Sequence, residues 1–124
     1  DLASGFFIKH NHLVACGGVT AAVRRALAQA PHPLRVEVEV ESLAEAEEAV
    51  AAGAEVLLFD NMTPATVAEV AAVVRGRAVI EVSGGVTLAT VRAFAEAGAQ
   101  LISVGALTHS APAADLSLDL RAAR

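Results

Sequence analysis

The chain has 124 residues, 55% of them hydrophobic but only 3% aromatic, which suits one domain whose core is built from alanine and valine rather than rings. A net charge of −5 without a Lys/Arg cluster argues against a nucleic-acid partner, and no apolar run is long enough to span a bilayer. No basic-then-apolar opening marks a secretory signal, and the single cysteine, Cys16, excludes an intrachain disulfide and fits a reducing, cytoplasmic setting.

In chain order, Phe6 to Lys9 reads as a first strand and Thr20 to Gln29 as a helix. The stretch VEVEVES, residues 36–42, alternates valine with glutamate and is a strand. Ser42 followed by Glu45 forms a capping box that opens a helix with Leu43, Ala46, Val50 and Ala51 inward, ended by Gly53. Glu55 to Phe59 is a short buried strand. Thr63 and Pro64 start the next helix, with Val67, Val70, Ala71 and Val74 as its apolar stripe and Gly76 as its stop. Ala78 to Val82 is a strand, Ser83-Gly84-Gly85 a turn, and Thr87 to Ala97 a helix with Leu88, Val91 and Ala95 inward before Gly98. Leu101 to Val104 is a further strand, closed by Gly105.

Strands and helices therefore alternate in a repeat of roughly 20–23 residues, compact for a strand and its crossover helix in a parallel sheet. Two architectures meet that pattern: a β/α barrel and a doubly wound open sheet. In either, every strand runs the same way, so all strand C-termini share one rim.

The chemically able side chains collect at that rim: Lys9; Glu39 and Glu41; Asp60 and Asn61; Glu81 with Ser83-Gly84-Gly85; and Gly105 through His109. The glutamates of VEVEVES face one side of their strand. Deep in a packed interior a carboxylate must be paired, whereas near a barrel mouth it can meet a cation or ligand hydroxyls. An edge strand with one solvated face alternates equally well. Two glycine loops after the last two strands are a recurrent phosphate site in barrels, because their backbone N–H groups can approach an anion. His10 and His12, two apart, are expected to have no acidic or cysteine partners nearby to complete a metal pair, and Cys16 reads as a small buried filler. From residues alone the expectation is a β/α enzyme piece that binds a phosphorylated ligand between acidic strands.

The segments FIKHNH, VEVEVESLAEAEEA, LLFDNM and VIEVSGGVTLATVRAFAEAGAQLISVGALTHSAPAADLSLDL closely resemble the C-terminal barrel of quinolinate phosphoribosyltransferase, the carboxylating nicotinate-nucleotide pyrophosphorylase. The likeness runs from about Gly5 to Leu120, and EVSGGVTL followed by SVGALTHS at this spacing is specific. It implies an incomplete, TIM-like parallel α/β barrel. Residues 1–124 would be its C-terminal part, with an N-terminal α/β domain and the first barrel elements outside them. It also implies transfer of phosphoribose from phosphoribosyl pyrophosphate to quinolinate with Mg²⁺, releasing pyrophosphate and CO₂ and giving nicotinate mononucleotide for NAD biosynthesis, in a homodimer or higher homo-oligomer.

Carried over residue by residue, Lys9 matches a lysine at the anionic substrates. Glu39 and Asp60 match acids that face the ribose and, indirectly, the metal carried by phosphoribosyl pyrophosphate. Ser83, Gly84, Gly85, Gly105 and His109 match the phosphate loops. Two departures stand out: His10 occupies a place where the family usually has an acid, and Lys9 is the only lysine, too few cations near the rim for a dicarboxylate. The resemblance thus implies that residues 1–124 by themselves do not turn over quinolinate. A binding-only barrel piece and a phosphoribosyltransferase for another ring acceptor are the alternative readings.

Overall fold

A computed structural model describes residues 6–31, 34–105 and 117–121, the segment from Gly105 onward through its backbone pairing alone. Its elements are β1 (Phe6–Ile8), α1 (His10–Ala15), α2 (Val19–Gln29), β2 (Val36–Val40), α3 (Leu43–Ala52), β3 (Val56–Asp60), α4 (Pro64–Val74), β4 (Val79–Ser83), α5 (Val91–Ala97), β5 (Leu101–Gly105) and β6 (Ser117–Arg121).

The six strands form one sheet in the order β1-β2-β3-β4-β5-β6, and the first five are parallel. That order decides between the two architectures open to the sequence. A doubly wound sheet reverses its strand order at a switch point and carries helices on both faces. Here the order never reverses, and successive helices α1 to α5 pack against one another along one face. The progression is that of a barrel wall.

β2 shows how local sequence produces this. Val36, Val38 and Val40 are all essentially inaccessible, packed under the helices with Leu57, Phe59, Ile80, Val82, Ile102 and Val104 of the neighbouring strands. The helices answer with Val23, Ala46, Ala49, Val67, Val70 and Val74. Small side chains let helices and sheet approach closely, which is why so much alanine and valine and so few rings suffice.

The helix starts follow their caps. Ser42 Oγ accepts the Glu45 N–H at 3.2 Å and Thr63 Oγ1 accepts the Thr66 N–H at 3.2 Å, with Pro64 in the first turn. α3 and α5 end on left-handed glycines, Gly53 and Gly98. α4 ends one residue earlier than Gly76, with Arg75 itself left-handed.

Four expectations are corrected. Leu88 is 64% exposed rather than inward, because Thr87 to Thr90 form a turn in which the two threonines exchange side-chain and backbone hydrogen bonds, and the helix begins only at Val91. Ala51 is exposed and Ala49 buried, since the inward face of α3 runs through Ala46, Ala49 and Val50. A short helix, α1, follows β1 directly and buries Leu13. The sheet is not uniformly parallel: β6 pairs antiparallel to β5, from Leu101↔Arg121 to Gly105↔Ser117. The segment SLDL alternates with the strand period of two but has no helical pattern before it to signal a strand. Cys16 is a half-buried free thiol packed against the core, the filler role expected of it.

Candidate active site

Parallel register carries the face of Glu37 across the sheet. Glu39 sits opposite Leu58, Leu58 opposite Glu81, and Asp60 opposite Ser83. Glu37, Glu39, Asp60, Glu81 and Ser83 therefore share the side of the sheet away from the helices. At the strand C-termini this side opens into a cavity of about 440 Å³ lined by Glu39, Glu41, Asp60, Asn61 and Met62. That volume is in the range of small-ligand sites.

Deeper in, Glu37 and Glu81 are only 4% and 7% exposed, and their side chains hydrogen-bond to each other across β3. Two carboxylates cannot share a hydrogen bond unless a proton lies between them. Burial pushes the Glu37 carboxyl above its ordinary 4.5, and the bond to Glu81 only partly offsets this. An interior carboxylate here is indeed paired, with another acid.

At the rim the acids are held by backbone and imidazole. Glu39 Oε1 accepts the backbone N–H of His10 at 2.8 Å. The His10 ring places Nε2 2.9 Å from Glu45 Oε2 and Nδ1 3.5 Å from Glu41 Oε1. The hydrogen bond to Glu45 is the main reason the His10 pKa lies above 6.5; burial, the next influence in size, opposes it, and the charges of Glu45, Glu41 and Glu39 add to the rise. Glu45 Oε1 in turn accepts the Glu41 N–H at 2.8 Å.

Asp60 rests on the glycine turn that follows the next strand. Asn61, left-handed at φ 59°, donates its N–H to the Ser83 carbonyl at 3.0 Å, which ties the end of β3 to the end of β4. Gly84 has φ +75°, and a Cβ there would overlap the Asp60 carboxylate and lie 2.8 Å from Asn61 Oδ1. The turn is glycine because the acid occupies the space that a side chain would need.

Of the residues singled out from sequence, Glu39 and Asp60 meet in the cavity, and Ser83 and Gly84 stand directly beside Asp60. Gly85 follows in the same turn, exposed, with φ +71°. Lys9 is exposed at the end of β1, on the same rim, and is not among the cavity-lining residues. Gly105 ends β5, the strand end at which the sequence reading put it; the rest of the second glycine loop, with His109, lies outside the described residues. Sequence reasoning did not bring Met62 to the cavity, nor His10 to Glu39. Met62 gives no chemical signal, and the His10 contact spans 29 residues.

Comparison with known proteins agrees with the geometry. The family described as "Quinolinate phosphoribosyl transferase, C-terminal domain" matches residues 1–119. A probable nicotinate-nucleotide pyrophosphorylase [carboxylating] of Bacillus subtilis is 42% identical over 119 residues, covering 96% of this chain and 41% of its own length. The Homo sapiens nicotinate-nucleotide pyrophosphorylase [carboxylating] is 43% identical over 123 residues, covering 97% and 41%. The crystal structure of NadC from Streptococcus pyogenes superposes with a TM-score of 0.77 at 41% identity, over 89% of this chain and 39% of that one. The chain thus spans about two fifths of the length of these relatives. A single-face helical layer over an unreversed parallel wall, an acid cavity at its C-terminal rim and these matches lead to one conclusion: the chain belongs to the quinolinate phosphoribosyl transferase family, in the region of its C-terminal domain.

Proposed function

We propose that this domain serves phosphoribosyl transfer from phosphoribosyl pyrophosphate to quinolinate, with loss of CO₂, yielding nicotinate mononucleotide and pyrophosphate. The observation that carries the reading is the meeting of Glu39 and Asp60 in one rim cavity, with Asp60 seated against the Ser83-Gly84 turn. In this reaction the bond from the ribose anomeric carbon to pyrophosphate breaks, and one to the ring nitrogen forms. The ribose passes through an oxocarbenium-like state between the two. Two carboxylates held beside the sugar stabilise that positive charge without having to reorganise. The glycine turn presents backbone N–H groups to phosphate, and Lys9, His109 and Gly105 complete the anion-binding set in this reading.

Mg²⁺ belongs to the reading as a companion of the pyrophosphate. Its preferred ligands are hard oxygens, commonly one or two carboxylates together with substrate phosphates. No group of three or more His, Cys, Asp or Glu able to hold a metal occurs among the described residues, while Glu39 and Asp60 offer the carboxylates that this shared mode uses. When bound, the ion supplies charge neutralisation at the leaving pyrophosphate.

A homo-oligomer is part of the same proposal, because Lys9 is the only lysine and quinolinate brings two carboxylates that need cations from elsewhere. A cytoplasmic setting is proposed with it; no helix among the described residues is long and apolar enough to cross a membrane.

The test is a chimera in which the B. subtilis relative's preceding residues are joined to this chain. Nicotinate mononucleotide formation from quinolinate and phosphoribosyl pyrophosphate, dependent on Mg²⁺, is expected from the chimera and not from residues 1–124 alone. A folded chimera that binds phosphoribosyl pyrophosphate yet transfers only to another ring acceptor would overturn the assignment of quinolinate.

A further inference from the structure

We infer that His10 is a positioning residue for Glu39: its ring, braced against Glu41 and Glu45, fixes the turn after β1 so that the His10 backbone N–H holds the Glu39 carboxylate at the cavity. Nothing in the chemistry of the reaction requires an imidazole at this place, so the inference rests on the contacts themselves.

Glu39 is half-buried at the rim and has three rotatable side-chain bonds, so it loses considerable freedom when placed. The His10 N–H that it accepts is the first of α1, a donor without an intrahelical acceptor. Lys9, at the N-cap, makes no side-chain cap bond. Glu39 therefore caps α1 from a different strand, as Ser42 caps α3 from within its own chain segment. At six residues α1 cannot sustain itself by propensity, so its first turn stays where tertiary contacts hold it.

The contacts that do so come from the His10 ring. Nε2 meets Glu45 in the first turns of α3, and Nδ1 faces Glu41 just past β2. Glu45 is itself fixed from both ends: its Oε1 accepts the Glu41 N–H, and its own N–H is donated to Ser42 Oγ. The acids thus form a frame on the β2–α3 corner, and His10 fastens the β1–α1 corner to it. A side chain lacking ring donors leaves the frame intact but releases the turn, and with it the N–H aimed at Glu39.

The test reads the backbone amide of residue 10 by hydrogen exchange and NMR in the 124-residue chain. A hydrogen bond to a charged acceptor gives protection that, when lost, speeds exchange by about tenfold or more. His10→Ala and Glu39→Ala are each expected to cause that loss, their combination no more than either alone, with α3 amides unchanged. His10→Gln, which keeps a donor near the position of Nε2, is expected to restore most of the protection. If His10→Ala does not fold, Glu45→Ala, which removes the nearer ring partner, reads the same amide. Unchanged protection at residue 10 in the folded variants, or additive losses in the double variant, overturns the proposal.

The catalytic consequence rests on the phosphoribosyl-transfer reading. In the active chimera His10→Ala should lower kcat with little change in KM, and should add little to Glu39→Gln. If the chimera proves inactive while the amide behaves as described, the functional reading falls and the positioning role stands.

Discussion

Gly84 and Gly76 make a matched pair for testing why the glycine turn sits beneath Asp60. Their φ values are +75° and +76°, so alanine meets the same left-handed backbone cost at both, about 1–2 kcal/mol. At Gly76 a methyl group would find nothing within 4 Å, so Gly76→Ala should cost that backbone term and nothing else. At Gly84 the methyl group overlaps Asp60 Oδ1 and comes within 2.8 Å of Asn61 Oδ1 and 3.0 Å of Asn61 N. The Asn61 backbone has little room to recoil, since its N–H is bonded to the Ser83 carbonyl. Asp60 must swing away or the turn must open, a steric cost of roughly 1–3 kcal/mol on top of the backbone term. Gly84→Ala is therefore expected to destabilise by about 2–5 kcal/mol in all. Urea unfolding followed by circular dichroism, with equal m-values for the three proteins, measures both variants. Costs within about 0.5 kcal/mol of each other, near the resolution of such comparisons, would refute the claim that Asp60 occupies the space above Gly84.

Three further outcomes are expected. In the active chimera, Glu39→Gln and Asp60→Asn should each lower kcat by about 10²–10³ with a smaller effect on KM, as loss of a preorganised charge does; steady-state kinetics on folded variants separates this from lost stability. Glu37 holds its proton more tightly folded than unfolded, so its contribution to stability is undiminished below pH 4.5 and declines as pH rises from there to the raised folded value. Glu37→Gln should remove that decline, which urea midpoints between pH 4 and 7 will show as a flatter profile than wild type; parallel profiles would refute the shared proton. Phe59→Ala empties a fully buried site under the helices and should cost about 3–5 kcal/mol by the same unfolding assay.

Much of the architecture was legible without coordinates because it rests on local rules. Alternation placed the valines of β2 under the helices, and Ser42 and Thr63 marked their helix starts through side-chain oxygens that reach only three residues ahead. The rim location of Glu39, Asp60 and Ser83 followed from the direction of parallel strands, and the family from motifs in fixed order. Where local signals compete, the reading failed. Thr87 and Thr90 bond to each other instead of admitting a helix, and Leu88 is left in solvent. The β/α period by itself fits a barrel wall and a doubly wound sheet alike; the family motifs already implied the barrel, and the unreversed strand order of the tertiary structure is the physical feature that separates the two. The tertiary structure also turned β6 against the parallel direction. The contacts that shape the site join residues far apart in the chain: Glu37 with Glu81, His10 with Glu39, and Asp60 with the space above Gly84. Residue type and spacing indicate which groups are available, but which of them touch depends on how the strands lie side by side, and that is set by packing of the whole sheet.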